Sequence, residues 1–149
     1  MSRLQLALNV DDLDEAIEFY STLFRTPPAK VRPGYANFAI SEPPLKLVLF
    51  SGVGAPGTIN HLGVEVESTE QVTAAIERLG DAGLALDIEE QTDCCYAVQN
   101  KVWVNGPDST RWETYVVLAD SAGIDPASAT ACCASAADEP ISLGNKPAL

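Results

Sequence analysis

The sequence predicts an α+β chain: two tandem βαβββ modules curving one mixed sheet around a metal cleft, then an irregular tail. Three observations carry that prediction. Leu4 to Val10 and Asn60 to Val66 alternate apolar with polar or small residues in the same phase, as half-buried strands do. Each is followed by a stretch with the apolar spacing of a helix, and each helix by three short strand-like runs. The copies repeat at an offset of 56 residues, Gln5 to His61, in pattern rather than in identity.

Taken in order, Asp11-Asp12 caps a helix whose buried stripe is Leu13, Ala16, Ile17, Tyr20, Leu23 and Phe24, and Pro27-Pro28 stops it. Strands follow around Lys30-Val31, Tyr35 to Ile40 and Leu45 to Phe50, separated by Pro33-Gly34 and Pro43-Pro44. A glycine-rich loop, Ser51 to Thr58, joins the modules. After the second alternating strand, Ser68-Thr69-Glu70-Gln71 reads as a capping box. Val72, Ala75, Ile76 and Leu79 give the second helix its apolar face, and Gly80 and Gly83 close it. Further strands are expected at Leu84 to Ile88, Lys101 to Val104 and Trp112 to Val117, with Asn105 to Asp108 as a turn. Module one spans about residues 3–50 and module two about 60–118. Residues 119–149, rich in Ala and Ser, read as a flexible tail.

The totals bound the function. A net charge of −12 repels nucleic acid and anionic membranes, though solubility alone explains such a charge. No signal sequence and no apolar run of membrane-spanning length is visible, so a cytoplasmic protein is expected. The cytosol keeps thiols reduced, and the four cysteines form two adjacent pairs, Cys94-Cys95 and Cys132-Cys133. Neither pair has the C-x-x-C spacing of a zinc ribbon or a thioredoxin-like motif. Soft thiolates and hard carboxylates rarely serve one ion. A thiol pair shortly before a strand carrying Glu113 therefore implies two neighbouring sites.

Superposing the modules aligns Gln5 with His61 and Lys46 with Glu113, each on the face opposite its strand's apolar row. Ala7 and Gly63 fall on equivalent positions where a cleft needs space. Gln5, His61 and Glu113 can ligate a metal, whereas a protonated Lys46 cannot. Three ligands and one open corner describe a catalytic site rather than a structural one. His61, the single histidine, has a bland reading as a satisfied strand residue, which its symmetry mates outweigh.

These modules resemble the vicinal oxygen chelate superfamily, which includes glyoxalase I, extradiol dioxygenases and bleomycin-resistance proteins. Asn60 to Gly63, Thr92 to Lys101 and Trp112-Glu113 resemble the group containing the organoarsenical carbon–arsenic lyase and the mycobacterial cadmium-induced protein. Ala29 to Phe38 and the tail doublet place the chain nearer the cadmium-induced branch. The lyase is a non-haem iron(II) dioxygenase with two histidines and a glutamate. His61 and Glu113 match, but Gln5 stands where the first histidine would be. Glutamine ligates in glyoxalase I, so the resemblance implies a divalent metal, Fe(II) for an enzyme, with Zn, Ni or Cd also admitted by the weaker amide donor. It also implies that Cys94 and Cys95 capture trivalent arsenic; in an enzyme of this kind Tyr96 would line the pocket and Lys46 would be the unfilled corner facing the substrate.

Adjacent side chains of a flat strand point apart, so both sulfurs can grip one atom only from a turn or loop, which the polar run Glu89 to Asp93 before them fits, a segment able to swing over the cleft. Glu89, Glu90 and Asp93 beside them work against thiolate formation until a metal displaces the proton. Cys132 and Cys133 are expected as accessory thiols, in a monomer or a homodimer. Two functions stay open: a metal-dependent lyase acting on trivalent organoarsenicals, or a cadmium- or arsenite-sequestering protein without turnover. A glyoxalase-like isomerase, the third reading, leaves the cysteine loop unexplained.

Overall fold

The computed structural model describes residues 1–122, so Cys132, Cys133 and the rest of the predicted tail lie outside the described residues. Within them are eight strands and two α-helices: β1 Arg3–Val10, α1 Leu13–Phe24, β2 Lys30–Arg32, β3 Tyr35–Ile40, β4 Leu45–Ser51, β5 Ile59–Glu65, α2 Thr69–Asp81, β6 Asp87–Cys94, β7 Ala97–Asn105 and β8 Arg111–Asp120. The helix starts follow their caps. Asp12 accepts the Glu15 amide at 2.9 Å, and Ser68 and Gln71 bond reciprocally in a capping box. Arg25, in the left-handed conformation, ends α1 ahead of the prolines, and Gly83 at φ +81° turns the chain after α2.

The strands form one mixed, curled sheet in the order β2-β3-β4-β1-β5-β8-β7-β6. Each module's first strand runs parallel to its last, and the two first strands pair antiparallel at the centre. That central register carries the duplication. Gln5 pairs with Gly63, Leu6 with Leu62 and Ala7 with His61. A shift of 56 residues maps this set onto itself, so the pseudo-twofold axis passes through Leu6 and Leu62.

The helices cover the convex face. Leu6, Leu8 and Val10 of β1 pack with Ala16, Ile17, Tyr20 and Phe24 of α1 over Phe38, Leu47 and Leu49. On α2, Val72 and Ala75 pack on Val102 and Val116. The concave face is the more deeply buried side of β1, where Gln5, Ala7 and Asn9 are buried while the alternating leucines are less so. Buried polar groups need partners, and those of the opposing rows meet here. No helix of the described residues is long and apolar enough to cross a membrane.

One predicted loop is a strand. The polar run before Cys94 belongs to β6, at the sheet edge, with a register break between Glu89 and Thr92 and Gln91 at φ +49°. An edge strand has few apolar neighbours, so its composition reads as loop, and a bulge blunts the edge.

Candidate metal centre

Gln5, His61 and Glu113 meet at one point on the concave face, all at most 5% exposed. Gln5 Nε2 lies 2.9 Å from His61 Nε2 and 2.6 Å from Glu113 Oε1, and the His61 and Glu113 atoms are 3.1 Å apart. Donors bonded at about 2.1 Å to one ion and at right angles to each other stand about 3.0 Å apart. The observed spacings match three adjacent positions around a divalent cation. Gly63 makes room for them, because a Cβ there would sit 2.9 Å from Glu113 Cγ and 3.1 Å from its backbone oxygen.

The donor set fits a cation after one local change. Gln5 offers nitrogen to the point of convergence, while its Oε1 accepts from the Tyr115 hydroxyl. Turning the amide over brings oxygen inward and leaves Nε2 donating to Tyr115, whose proton then goes to Glu65 Oε2, 2.9 Å away. Every group stays paired. Among the described residues no three of His, Cys, Asp and Glu form a metal cluster, so a three-ligand site at this point would have to include the Gln5 amide.

The fourth corner differs from the expectation. Val48 lies beside Ala7 just as Glu113 lies beside Gly63, so Val48, not Lys46, is the symmetry mate of Glu113. Lys46 lies two residues along, beside Gln5. Alternation fixes only which face a side chain takes, and a slip of two residues preserves it. Lys46 still lines the cavity, 3.5 Å from Glu65 Oε2. Burial lowers its ammonium below the usual lysine range against the raising effect of Glu65.

Lys101, absent from the expected site, is its main electrostatic element. Its Nζ is 3.0 Å from Glu113 Oε2, and the residue is 2% exposed. Burial alone would push the Glu113 carboxyl up, but the Lys101 ammonium beside it is the largest opposing influence, and the carboxyl sits at about 2. Reciprocally, Glu113 raises Lys101 despite the lysine's own burial. A signal was present in the sequence: Gln99, Lys101 and Trp103 share one phase, against Val98, Val102 and Val104. Buried Asn9 and Tyr115 and half-buried Glu65 also lie in the odd-numbered rows that contain Gln5, His61 and Glu113.

The cavity above these groups is about 230 Å³, walled by Tyr35, Val48 and Phe50 on one side and Cys95, Gln99 and Lys101 on the other. Cys95 and Tyr96 occupy a hairpin turn with both residues at positive φ, closed by the pair Cys94 and Ala97. That conformation costs non-glycine residues strain and frees the two sulfurs from strand alternation. They lie 3.1 Å apart. Two sulfurs bonded at ~2.3 Å to one atom stand roughly 3.3–3.8 Å apart, so a small spread suffices. Cys94 is disulfide-bonded, so gripping an ion with both sulfurs requires reduction.

Cys94 and Tyr96 do not line the cavity. Cys94 is wholly buried behind Cys95, and the Tyr96 ring packs on Tyr35 at 5.3 Å. Lys30 ties the turn down, donating to the Tyr96 carbonyl at 2.9 Å and to Asp120 at 2.6 Å.

Residues 3–114 match the model of the Glyoxalase/Bleomycin resistance protein/Dioxygenase superfamily. The chain is 64% identical over 121 residues to the cadmium-induced protein CadI of Mycobacterium tuberculosis, covering 81% of this chain and 80% of that one. It is 60% identical over 134 residues to the trivalent organoarsenical cleaving enzyme of Thermomonospora curvata, covering 89% of each. Among solved structures, the Mn(II)-bound glyoxalase of Novosphingobium aromaticivorans superposes with a TM-score of 0.57 at 19% identity, over 84% of this chain and 43% of that one. That likeness concerns the fold. With two pseudo-twofold βαβββ modules, a concave polar centre and a family match across both, the chain belongs to the glyoxalase/bleomycin resistance protein/dioxygenase superfamily.

Proposed function

We propose that this protein acts in resistance to arsenic and soft metals, as a metal-dependent enzyme that cleaves the carbon–arsenic bond of trivalent organoarsenicals. The observation that carries the reading is a shared cavity: Cys95, with the Cys94 sulfur beside it, opens onto the same 230 Å³ as Gln5, His61 and Glu113. A cavity of about 150 Å³ suffices for benzene, so a single aromatic ring with its arsenic fits. The relatives named for cadmium induction and for organoarsenical cleavage support the same class of ligand.

The residues divide the work. Reduced Cys94 and Cys95 bind trivalent arsenic, a soft centre. Tyr35, Val48 and Phe50 enclose the ring and exclude water. Gln5, His61 and Glu113 hold a divalent metal, Fe(II) in the enzyme, which supplies activation of dioxygen when bound. Lys101 keeps Glu113 ionised at any physiological pH and occupies its second oxygen, leaving Oε1 for the metal.

A second reading is sequestration of cadmium or arsenite without turnover, favoured by Gln5 in place of a more strongly donating imidazole. Aerobic incubation of iron-loaded, thiol-reduced protein with a trivalent aromatic arsenical separates the two. Release of inorganic arsenite is expected. No release, with stoichiometric cadmium binding abolished by changing Cys94 and Cys95, would establish sequestration instead. Gln5→His raises the cleavage rate if iron retention is limiting, and an unchanged rate removes that explanation.

A further inference from the structure

We propose that a directed hydrogen-bond chain from the loop joining the modules fixes which nitrogen of His61 carries hydrogen, reserving Nε2 for the metal. The role of Nε2 rests on the metal-centre reading above; the tautomer rests on hydrogen-bond direction alone.

The chain begins at a group that can only accept. The Thr58 hydroxyl donates its one proton to the Ala55 carbonyl at 2.5 Å. Toward Asn9 the Thr58 oxygen can then only accept, and Asn9 Nδ2 donates to it at 2.9 Å. Asn9 Oδ1 therefore faces Asn60, whose Nδ2 donates to it at 3.1 Å. This leaves Asn60 Oδ1 against His61 Nδ1 at 2.7 Å, and Nδ1 must carry hydrogen. In a neutral imidazole the lone pair is then on Nε2, the atom that meets Gln5 and Glu113. A solvated imidazole favours the opposite tautomer, so the protein has to impose this one. Partners of this kind set the orientation and basicity of metal-bound histidines.

The loop is fastened where the chain needs it. Asn9 N donates to Thr58 O and Gly57 N to Asn9 O, both at 2.9 Å. Gly54 comes so close that a Cβ there would stand 2.6 Å from Asn9 Nδ2. The pseudo-twofold gives the arrangement a counterpart, since a shift of 56 residues takes Asn9 to Glu65 and Gln5 to His61. Glu65 reaches Gln5 through Tyr115 as Asn9 reaches His61 through Asn60. Asn9, Asn60 and Thr58 are thus positioning residues, and the loop between the modules is part of the site.

Because His61 is the only histidine, its two ring nitrogens can be read without overlap. Histidine labelled with nitrogen-15 in the full-length, chelator-treated protein gives the tautomer from long-range proton–nitrogen correlation in mildly alkaline buffer. The wild type is expected to show hydrogen on Nδ1. Asn60→Ala and Asn9→Ala shift the major population to hydrogen on Nε2 and weaken zinc binding, measured against a chelating dye, by about 10-fold. Asn60→Asp, which keeps the acceptor, retains hydrogen on Nδ1. Thr58→Val cuts the chain at an exposed position, so a partial shift is read even if a buried variant misfolds. Hydrogen on Nε2 in the wild type, or an unchanged tautomer in Asn60→Ala and Thr58→Val, overturns the proposal. Failure of the wild type to bind zinc would instead defeat the metal-centre reading, while the spectra still judge the chain.

Discussion

Replacing Lys101 with methionine tests the electrostatics of the centre most directly. Methionine keeps the unbranched stem but removes the charge that offsets Glu113 at 3.0 Å. The Glu113 carboxyl sits at about 2 instead of 4.5. At 1.36 kcal/mol per unit this corresponds to roughly 3 kcal/mol favouring its ionised form in the fold. Stranding a buried charge costs about 3–5 kcal/mol, so Lys101→Met should lower Tm by roughly 10–15 °C at neutral pH. A carboxyl lowered by the fold stabilises it fully above its unfolded value of 4.5, and that contribution fades as pH falls from there toward 2. In the variant the carboxyl titrates higher and is neutralised earlier, so acidification should narrow the gap in Tm. Thermal unfolding of chelator-treated wild type and variant across pH reads both effects. The double variant Lys101→Met/Glu113→Gln should recover part of the loss. A variant within about 1 kcal/mol of wild type at neutral pH, or a gap that ignores pH, would refute the argument.

Three further outcomes follow from the geometry. Gly63→Ala drives a Cβ toward Glu113 Cγ and its carbonyl and should cost about 1–3 kcal/mol, with weaker zinc binding; unchanged calorimetric and chelator-competition values would contradict the close approach. Tyr115→Phe removes the hydroxyl that steers the Gln5 amide and should weaken metal binding about 10-fold in the same competition assay, with the fold intact by circular dichroism. Cys95→Ser should abolish retention of a trivalent aromatic arsenical on a desalting column while zinc still binds. Retained arsenical would show that a sulfur pair is not the capturing group.

The sequence by itself determined the repeat, the helix caps and the three groups that converge. Alternation assigns each side chain to a face, and duplication brings matching faces together, so Gln5, His61 and Glu113 were legible without coordinates. Pairing register was not, because a two-residue slip leaves the face unchanged; only the sheet shows Val48 at the fourth corner and Lys46 displaced from it. Tertiary structure likewise decided what a polar residue means. Glu89 to Asp93 look like a loop but form an edge strand. Lys101 and Asn9 look like surface residues but are each 2% exposed. Their partners, Glu113 and Asn60, lie on the neighbouring strand or in the other module. Local sequence encodes which atoms a residue can offer, whereas the charge or lone pair that meets them is set by a chain fold bringing residues a dozen or more positions apart into contact.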